Sequence, residues 1–215
     1  MYEILLGKYV TLQEFCTCTQ TYRKYADQID PYPENLEDTI PALQALYQHI
    51  LDPVIDHFGR ERFQLTYGFC PKDLKRFLSQ KGPETGIKNG RVDPSRDQHM
   101  AHEKNRNGKH YCVSGASRTP RFGAACDFRI VGLESDRLVE WILEQRSPFD
   151  SLYYYESDRE ASQRHRPIHI SYSPQRRRNI WAFTDGGVPT RKGIERWVER
   201  VALRIPELTA SHDEP

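Results

Sequence analysis

Three short stretches decide the fold of this chain: Gly123-Ala-Ala-Cys-Asp127, Tyr153-Tyr-Tyr-Glu156 and Ile168-His-Ile-Ser-Tyr172. The first opens an apolar segment that predicts a strand, and the other two predict strands that follow it. They place a carboxylate, Asp127, and an imidazole, His169, on neighbouring strands. With another histidine and a glutamate within reach, these side chains are the components of a catalytic zinc site.

The rest of the chain predicts a single α+β domain, because helical and strand patterns alternate with no internal repeat or linker. The stretch Thr11-Leu-Gln-Glu14 has the form of a capping box, and we expect its helix to continue to about residue 26. Apolar residues recur at three- and four-residue steps over 36–58, the main core helix, which we expect to bend at Pro53. The other predicted elements are strands at 63–69, 125–131, 151–156, 168–173 and 180–183, and helices at 71–80, 135–145 and 191–203.

Residues 81–121 differ in character from both flanks. They are rich in Gly, Lys, Arg, Asn and His and almost free of large aliphatic side chains, and the segment is longer than an ordinary connection. We therefore predict one domain over residues 1–206, with a long polar insertion at about 81–121, followed by a polar tail at 207–215.

Composition and charge exclude several classes of protein. The chain is 37% hydrophobic and 28% charged, which is typical of a soluble globular domain, and no run approaches the roughly 20 apolar residues of a membrane span. The first residues show no secretory leader, so we expect a cytoplasmic protein. Five cysteines without a paired CxxC motif predict reduced thiols. The formal net charge of +1 excludes a strong global field, so binding to nucleic acid would have to depend on local clusters.

The three stretches resemble the superfamily of zinc D-Ala-D-Ala carboxypeptidases, L-alanyl-D-glutamate endolysins and the hedgehog signalling domain. Gly123-Ala-Ala-Cys-Asp127 is similar to the GxAxD half of the superfamily signature SxHxxGxAxD. Tyr154-Tyr-Glu156 and His169-Ile-Ser171 are similar to the hedgehog stretch in which Tyr-Tyr-Glu precedes the last zinc histidine. The segments 10–15, 43–59 and 65–69 resemble the opening helices and first strand of the phage-type branch. The resemblance implies a small antiparallel sheet with flanking helices, in a hedgehog-like or D-Ala-D-Ala-peptidase-like domain.

The resemblance also implies a zinc ion held by two histidines and one aspartate. Asp127 and His169 match the motif directly, whereas a proline stands at the position of the first histidine. The stretch from residue 95 to residue 102 resembles the front half of the signature, as if residues had been inserted between its two halves. We therefore predict His99 as the first ligand, with His102 and then His110 as alternatives.

Two departures from the carboxypeptidase branch concern the base and the substrate. That branch places its base glutamate three residues before the last histidine, where this chain has Arg166, so we predict Glu156 as the general base, as in the hedgehog arrangement. The branch has Ser-Gly-Tyr-Arg where this chain has Tyr67-Gly-Phe-Cys70, so the arginine that grips a free carboxylate is missing. We place Tyr67, Arg166 and Tyr172 at substrate-binding positions.

Each predicted site residue has a plain structural alternative. Asp127 could cap a turn or pair with a neighbouring arginine, and His169 could be an ordinary polar residue of a strand. His99 could be part of a solvated loop. Glu156 could be a strand-end carboxylate facing water, with an acidic residue at position 158 or 160 acting in its place.

We predict a zinc-dependent hydrolase that cleaves an amide bond in a peptide or peptidoglycan-like substrate. The alternative is a metal-binding, non-hydrolytic, hedgehog-like module, which the missing arginine and the polar insertion favour. A third hypothesis, association with nucleic acid, depends on basic residues at 164–166, 176–178 and 191–192 beside tyrosines able to stack on bases. A solvated rim explains these basic residues more simply. The sequence predicts neither a membrane partner nor an oligomeric state.

Overall fold

The computed structural model describes residues 3–82, 86–90, 92–95, 97–114, 117–155 and 165–183. The helices are α1 (Leu12–Thr17), α2 (Gln20–Lys24), α3 (Leu36–Leu46), α4 (Asp52–Phe58), α5 (Lys72–Ser79) and α6 (Ser135–Glu144). The strands are β1 (Phe63–Tyr67), β2 (Ala124–Ile130), β3 (Ser151–Tyr155), β4 (Ile168–Tyr172) and β5 (Asn179–Phe183). The predicted α+β class is confirmed, whereas Glu156, the predicted helix at 191–203 and the tail lie outside the described residues. None of the helices in the described ranges is long and apolar enough to cross a membrane.

The five strands form one sheet in the order β1-β2-β4-β3-β5. The first three pairs in this order are antiparallel, whereas β3 and β5 are parallel. The prediction of an antiparallel sheet is therefore correct for most of the sheet and wrong for its last pair. The turn after β4 reverses the chain and passes over the end of β3, so β5 lies beside β3 and runs in the same direction.

Two predicted helices are irregular, each for a local reason. The helix that begins at Thr11 is interrupted, because the side chain of Thr19 accepts the backbone N–H of Tyr22 and starts a second helix. The long core helix contains a π-helical turn at Tyr47–Leu51. This turn comes just before Pro53, which has no backbone N–H to donate to the preceding turn, so regular α-helical bonding is broken there.

The main core lies on one face of the sheet, against α3, α4 and α6. Cys126 and Phe128 of β2, with Ile168 and Ile170 of β4, point into this core and are all fully buried. Burial of one such large apolar side chain contributes about 1.5–3 kcal/mol. Because side chains alternate along a strand, the residue between Cys126 and Phe128 points to the other face of the sheet. That residue is Asp127.

The polar segment 81–121 packs against this second face. Its described residues form turns and isolated bridges instead of helices or longer strands. Met100 and Cys112 are nevertheless buried, and they pack with Leu74 of α5 in a second apolar cluster. The segment that the sequence predicts as an insertion is therefore a packed part of the domain. It brings His99 to the sheet.

Candidate metal centre

A row of four side chains crosses the sheet at the level of Asp127. The register pairs Tyr67 of β1 with Asp127 of β2, Asp127 with His169 of β4, and His169 with Tyr153 of β3. Residues paired across neighbouring strands project from the same face of a sheet. The row thus forms a floor, and His99 reaches it from the polar segment.

Three potential ligand atoms meet above this floor. The Nε2 atom of His99 lies 3.2 Å from Oδ1 of Asp127 and 3.2 Å from Nδ1 of His169, and the latter two atoms are 2.8 Å apart. Tetrahedral zinc, with bonds of about 2.0–2.1 Å, holds neighbouring ligand atoms about 3.3 Å apart. The triangle has nearly that size. It is the one group of its kind found in the described part of the chain.

The group is accessible from one side. The side chains of His99 and His169 are 4% and 8% exposed, whereas that of Asp127 is 33% exposed. Three protein ligands with one accessible side are typical of catalytic zinc sites, which keep a position for water or substrate, because structural sites are closed by four protein ligands. Two imidazoles and one carboxylate also form a donor set that suits divalent transition metals such as zinc and iron.

The ring of His99 is held in one orientation. Its Nδ1 atom lies 2.7 Å from the carbonyl oxygen of Gly68, and a carbonyl only accepts, so Nδ1 carries a proton and Nε2 is the atom that would bind a metal after losing its own proton. The backbone is fixed as well, since the carbonyl of His99 accepts the N–H of Cys70 at 2.9 Å. The ring of Tyr67 meets the His99 ring edge-on, with centroids 4.4 Å apart.

The ring of His169 is fixed by a neighbour on β3. Tyr153 stacks on it, with ring centroids 4.6 Å apart and planes 17° from parallel. The Nε2 atom of His169 is buried and has no hydrogen-bond partner among the described residues. The polar interactions of this ring are therefore made by Nδ1, the atom that faces Asp127 and His99.

Charge attraction outweighs burial inside the group. Burial alone would lower the pKa of His99, but the negative charge of Asp127 raises it above its ordinary value. Burial alone would raise the pKa of Asp127, but the charge on His99 and hydrogen bonds from both histidines hold it well below its ordinary value. A metal ion entering the group would thus displace a proton, as at other histidine-containing metal sites.

The structure brings together the three residues that the sequence predicts as ligands. It separates the two alternatives for the first histidine from them, because His102 and His110 both pack against the ring of Phe122, each at 5.3 Å between ring centroids. Packing on Phe122 accounts for both of these histidines.

The three predicted substrate-binding residues lie at different places relative to the group. Tyr67 borders the group through its contact with His99. Tyr172 is not brought to the group: it is three residues from His169 on the same strand and so projects from the opposite face, where it stacks on His49 at 4.8 Å between centroids. Arg166 precedes β4, and its carbonyl accepts the hydroxyl of Ser135; no described contact brings its side chain to the group.

Two orienting residues were not predicted for that role. The backbone carbonyl of Gly68 and the ring of Tyr153 each fix one histidine. The tyrosine-rich stretch 153–155 pointed to this region, but only the pairing of β3 with β4 shows which tyrosine contacts His169.

No protein-family model, no curated protein and no solved structure matches the chain. The chemistry available to the group comes from its own atoms: two oriented imidazoles and one carboxylate, with one accessible side.

Proposed function

We propose that the protein is a zinc-dependent hydrolase of the metallopeptidase type that cleaves an amide bond, with His99, Asp127 and His169 as zinc ligands. The triangle of ligand atoms, 2.8–3.2 Å on its sides and accessible beside Asp127, carries this proposal. Bound zinc supplies a Lewis acid that lowers the pKa of water to about 7 and polarises a carbonyl oxygen.

The residues around the group supply orientation and access. The Gly68 carbonyl fixes His99 and the Tyr153 ring fixes His169, so neither ligand needs to rearrange when a metal binds. Burial of both imidazoles excludes water from their side of the group. A substrate carbonyl would approach from the side of Asp127, which is the exposed side.

We assign the role of general base to Glu156, which lies outside the described residues. It follows β3 directly in the sequence, so its Cα lies three steps along the chain from that of Tyr153, at most about 11 Å away. Within the described ranges, Asp97 is the other carboxylate that contacts the group, and its two oxygens accept the N–H groups of His99 and Asp93. Asp97 therefore holds the backbone of His99 in place.

We propose a peptide of the peptidoglycan type as substrate, because the sequence resembles the carboxypeptidase and endolysin superfamily. Recognition of a free terminal carboxylate is not part of the proposal. The position of the missing arginine is Cys70, whose thiol is buried, and burial raises its pKa to about 12. A neutral buried thiol offers no positive charge to a carboxylate.

The second candidate function is a metal-binding module without hydrolytic activity. The buried, uncharged Cys70 at the position of the missing arginine favours it. Association with nucleic acid has less support from the arginine cluster at 176–178. The guanidinium of Arg177 is paired with Asp150, and that of Arg178 lies 5.1 Å from the centroid of the Phe149 ring.

The purified chain, loaded with zinc and incubated with purified peptidoglycan, tests the proposal through the release of new amino groups. We expect zinc-dependent cleavage, and a Glu156→Gln variant that retains zinc but loses at least about 100-fold in rate, as removal of a general base does. The matched control is Glu144→Gln at an exposed position of α6, which should keep full activity. Zinc binding without cleavage would select the binding module, and failure to bind zinc would reject both functions.

A further inference from the structure

A buried polar network centred on Asp150 joins the polar segment to the sheet. Asp150 immediately precedes β3 and is 0% exposed. Its Oδ1 accepts the hydroxyl of Ser173 at 2.7 Å and Nε of Arg177 at 3.0 Å. Its Oδ2 accepts Nη2 of Arg177 and the side-chain amide of Gln98, both at 3.1 Å. One carboxylate thus holds the end of β4, the turn before β5 and the polar segment.

Gln98 connects this network to the metal centre. It immediately precedes His99 and is 2% exposed. Its side-chain oxygen accepts Nη2 of Arg121 at 3.4 Å, and Nη1 of the same arginine donates to the carbonyl of Ser95 at 2.9 Å. The guanidinium of Arg121 also lies 3.7 Å from Asp150. The backbone just before His99 is therefore fixed at two points.

The hydrogen bonds to Asp150 are strong enough to fix the positions of the groups that donate them. Burial alone would raise the pKa of Asp150, but hydrogen bonds from Arg177 and Ser173 lower it below its ordinary value, so the carboxylate is ionised at neutral pH. Hydrogen bonds to a buried ionised group are shorter and stronger than neutral ones, and they restrict their donors in direction. Gln98 is one of these donors.

We propose that Asp150 is a positioning residue of the metal centre, which fixes His99 above Asp127 and His169 by holding Gln98. The expected effect of Asp150 on zinc affinity rests on the proposed function, whereas its expected effect on the position of His99 does not. The described residues of the polar segment near His99 form turns and isolated bridges. Without the network, the first ligand would lack its link to the strand that carries Tyr153.

Zinc affinity, measured by competition with a chromophoric chelator, tests the proposal in the full chain. Asp150→Asn keeps the shape and removes the charge, and Gln98→Met removes the amide at similar volume. We expect each to lower zinc affinity about 10–100-fold, the usual effect of a residue that orients a metal ligand. The matched control is Asp52→Asn, because Asp52 is also buried and its oxygens accept the N–H of Lys8 away from the group. Asp52→Asn should leave zinc affinity within about threefold of wild type.

A double variant separates positioning from general stability. In a His99→Ala background, where Asp127 and His169 alone bind zinc weakly, Gln98→Met should cause no further loss of this residual affinity, because the ligand that it positions is gone. A residue that only stabilises the fold would still lower affinity there. An equal loss of affinity in Gln98→Met and Asp52→Asn would overturn the proposal.

A second readout needs no metal. In the metal-free chain, the hydrogen bond from Nδ1 of His99 to Gly68 should protect that ring proton from exchange and give it a distinct NMR signal. We expect the signal in the wild type and in Asp52→Asn, and its loss in Gln98→Met. If the wild type binds no zinc, the proposed function fails, and this signal still decides the present proposal. A signal that survives in both Gln98→Met and Asp150→Asn would refute it.

Discussion

Replacement of Gly123 by alanine tests how closely β2 and β4 approach beside the metal centre. Gly123 has a φ of +112°, a backbone conformation that side chains other than glycine rarely adopt. A Cβ at this position would overlap the carbonyl oxygen of Tyr172 and lie 3.1 Å from the Cα of Ser173. Both neighbours are backbone atoms, so neither can swing away as a side chain would.

The expected cost has two parts. The unfavourable φ costs about 1–2 kcal/mol. Relief of the overlap moves the first residues of β2 away from β4, which weakens about one ladder hydrogen bond at about 1 kcal/mol and strains the packing by about 1–2 kcal/mol. The sum is about 3–5 kcal/mol, a large part of the 5–15 kcal/mol that is typical of a whole domain.

Urea unfolding, followed by far-UV circular dichroism, measures this loss. The matched control is Gly108→Ala, because Gly108 also has a positive φ, +72°, but a Cβ there meets nothing within 4 Å. The control should lose only the conformational part, about 1–2 kcal/mol. If Gly123→Ala loses no more stability than Gly108→Ala, the close approach of the two strands is refuted.

Three further predictions concern the metal centre and the network beside it. Gly68→Ala would place a Cβ against the backbone carbonyl of Phe15 and so displace the Gly68 carbonyl that accepts the proton of His99. Zinc affinity should fall at least about tenfold in a chelator competition, and unchanged affinity would contradict this. Because the pKa of His99 is raised, zinc affinity should increase with pH until that pKa is passed and then level off. Calorimetry in buffers of different ionisation enthalpy should show a proton released when the wild type binds zinc below that pKa, and binding without proton release would argue against it. The lowered pKa of Asp150 predicts a contribution to stability that is complete above the unfolded-state pKa of about 3.9 and is lost as pH falls through the lower folded value. In urea unfolding, the free energy of unfolding of Asp150→Asn should therefore decline less steeply in acid than that of the wild type. Parallel declines would count against the ionised network.

Strands β2 and β4, with the ligands Asp127 and His169, could be predicted because short sequence patterns mark them. Alternation within 168–172 places His169 opposite the two isoleucines, and the GxAxD pattern places a glycine at a crowded position and a carboxylate four residues later. The positive φ of Gly123 and its contact with Tyr172 give the physical reason for the glycine in that pattern.

Other features could not be predicted because they depend on register and packing. A one-residue shift in the register of β3 would bring a different tyrosine of 153–155 into contact with His169. The parallel pairing of β3 with β5 depends on where the turn after β4 crosses the sheet. The resemblance ranks His99 ahead of His102, but the buried contacts of Gln98 that hold His99 in place could not be predicted, because a polar side chain gives no sign of burial in the sequence. The network of Asp150 joins segments far apart in the chain, so no local pattern reveals it.

Zinc content of the purified chain, after reconstitution and dialysis, decides whether the three side chains bind a metal. We expect one zinc ion per chain in the wild type and in the control His110→Ala, since the ring of His110 packs on Phe122, and loss of that zinc in His99→Ala, Asp127→Ala and His169→Ala. A wild-type chain that retains no zinc, or a His99→Ala chain that retains as much as wild type, would contradict this expectation.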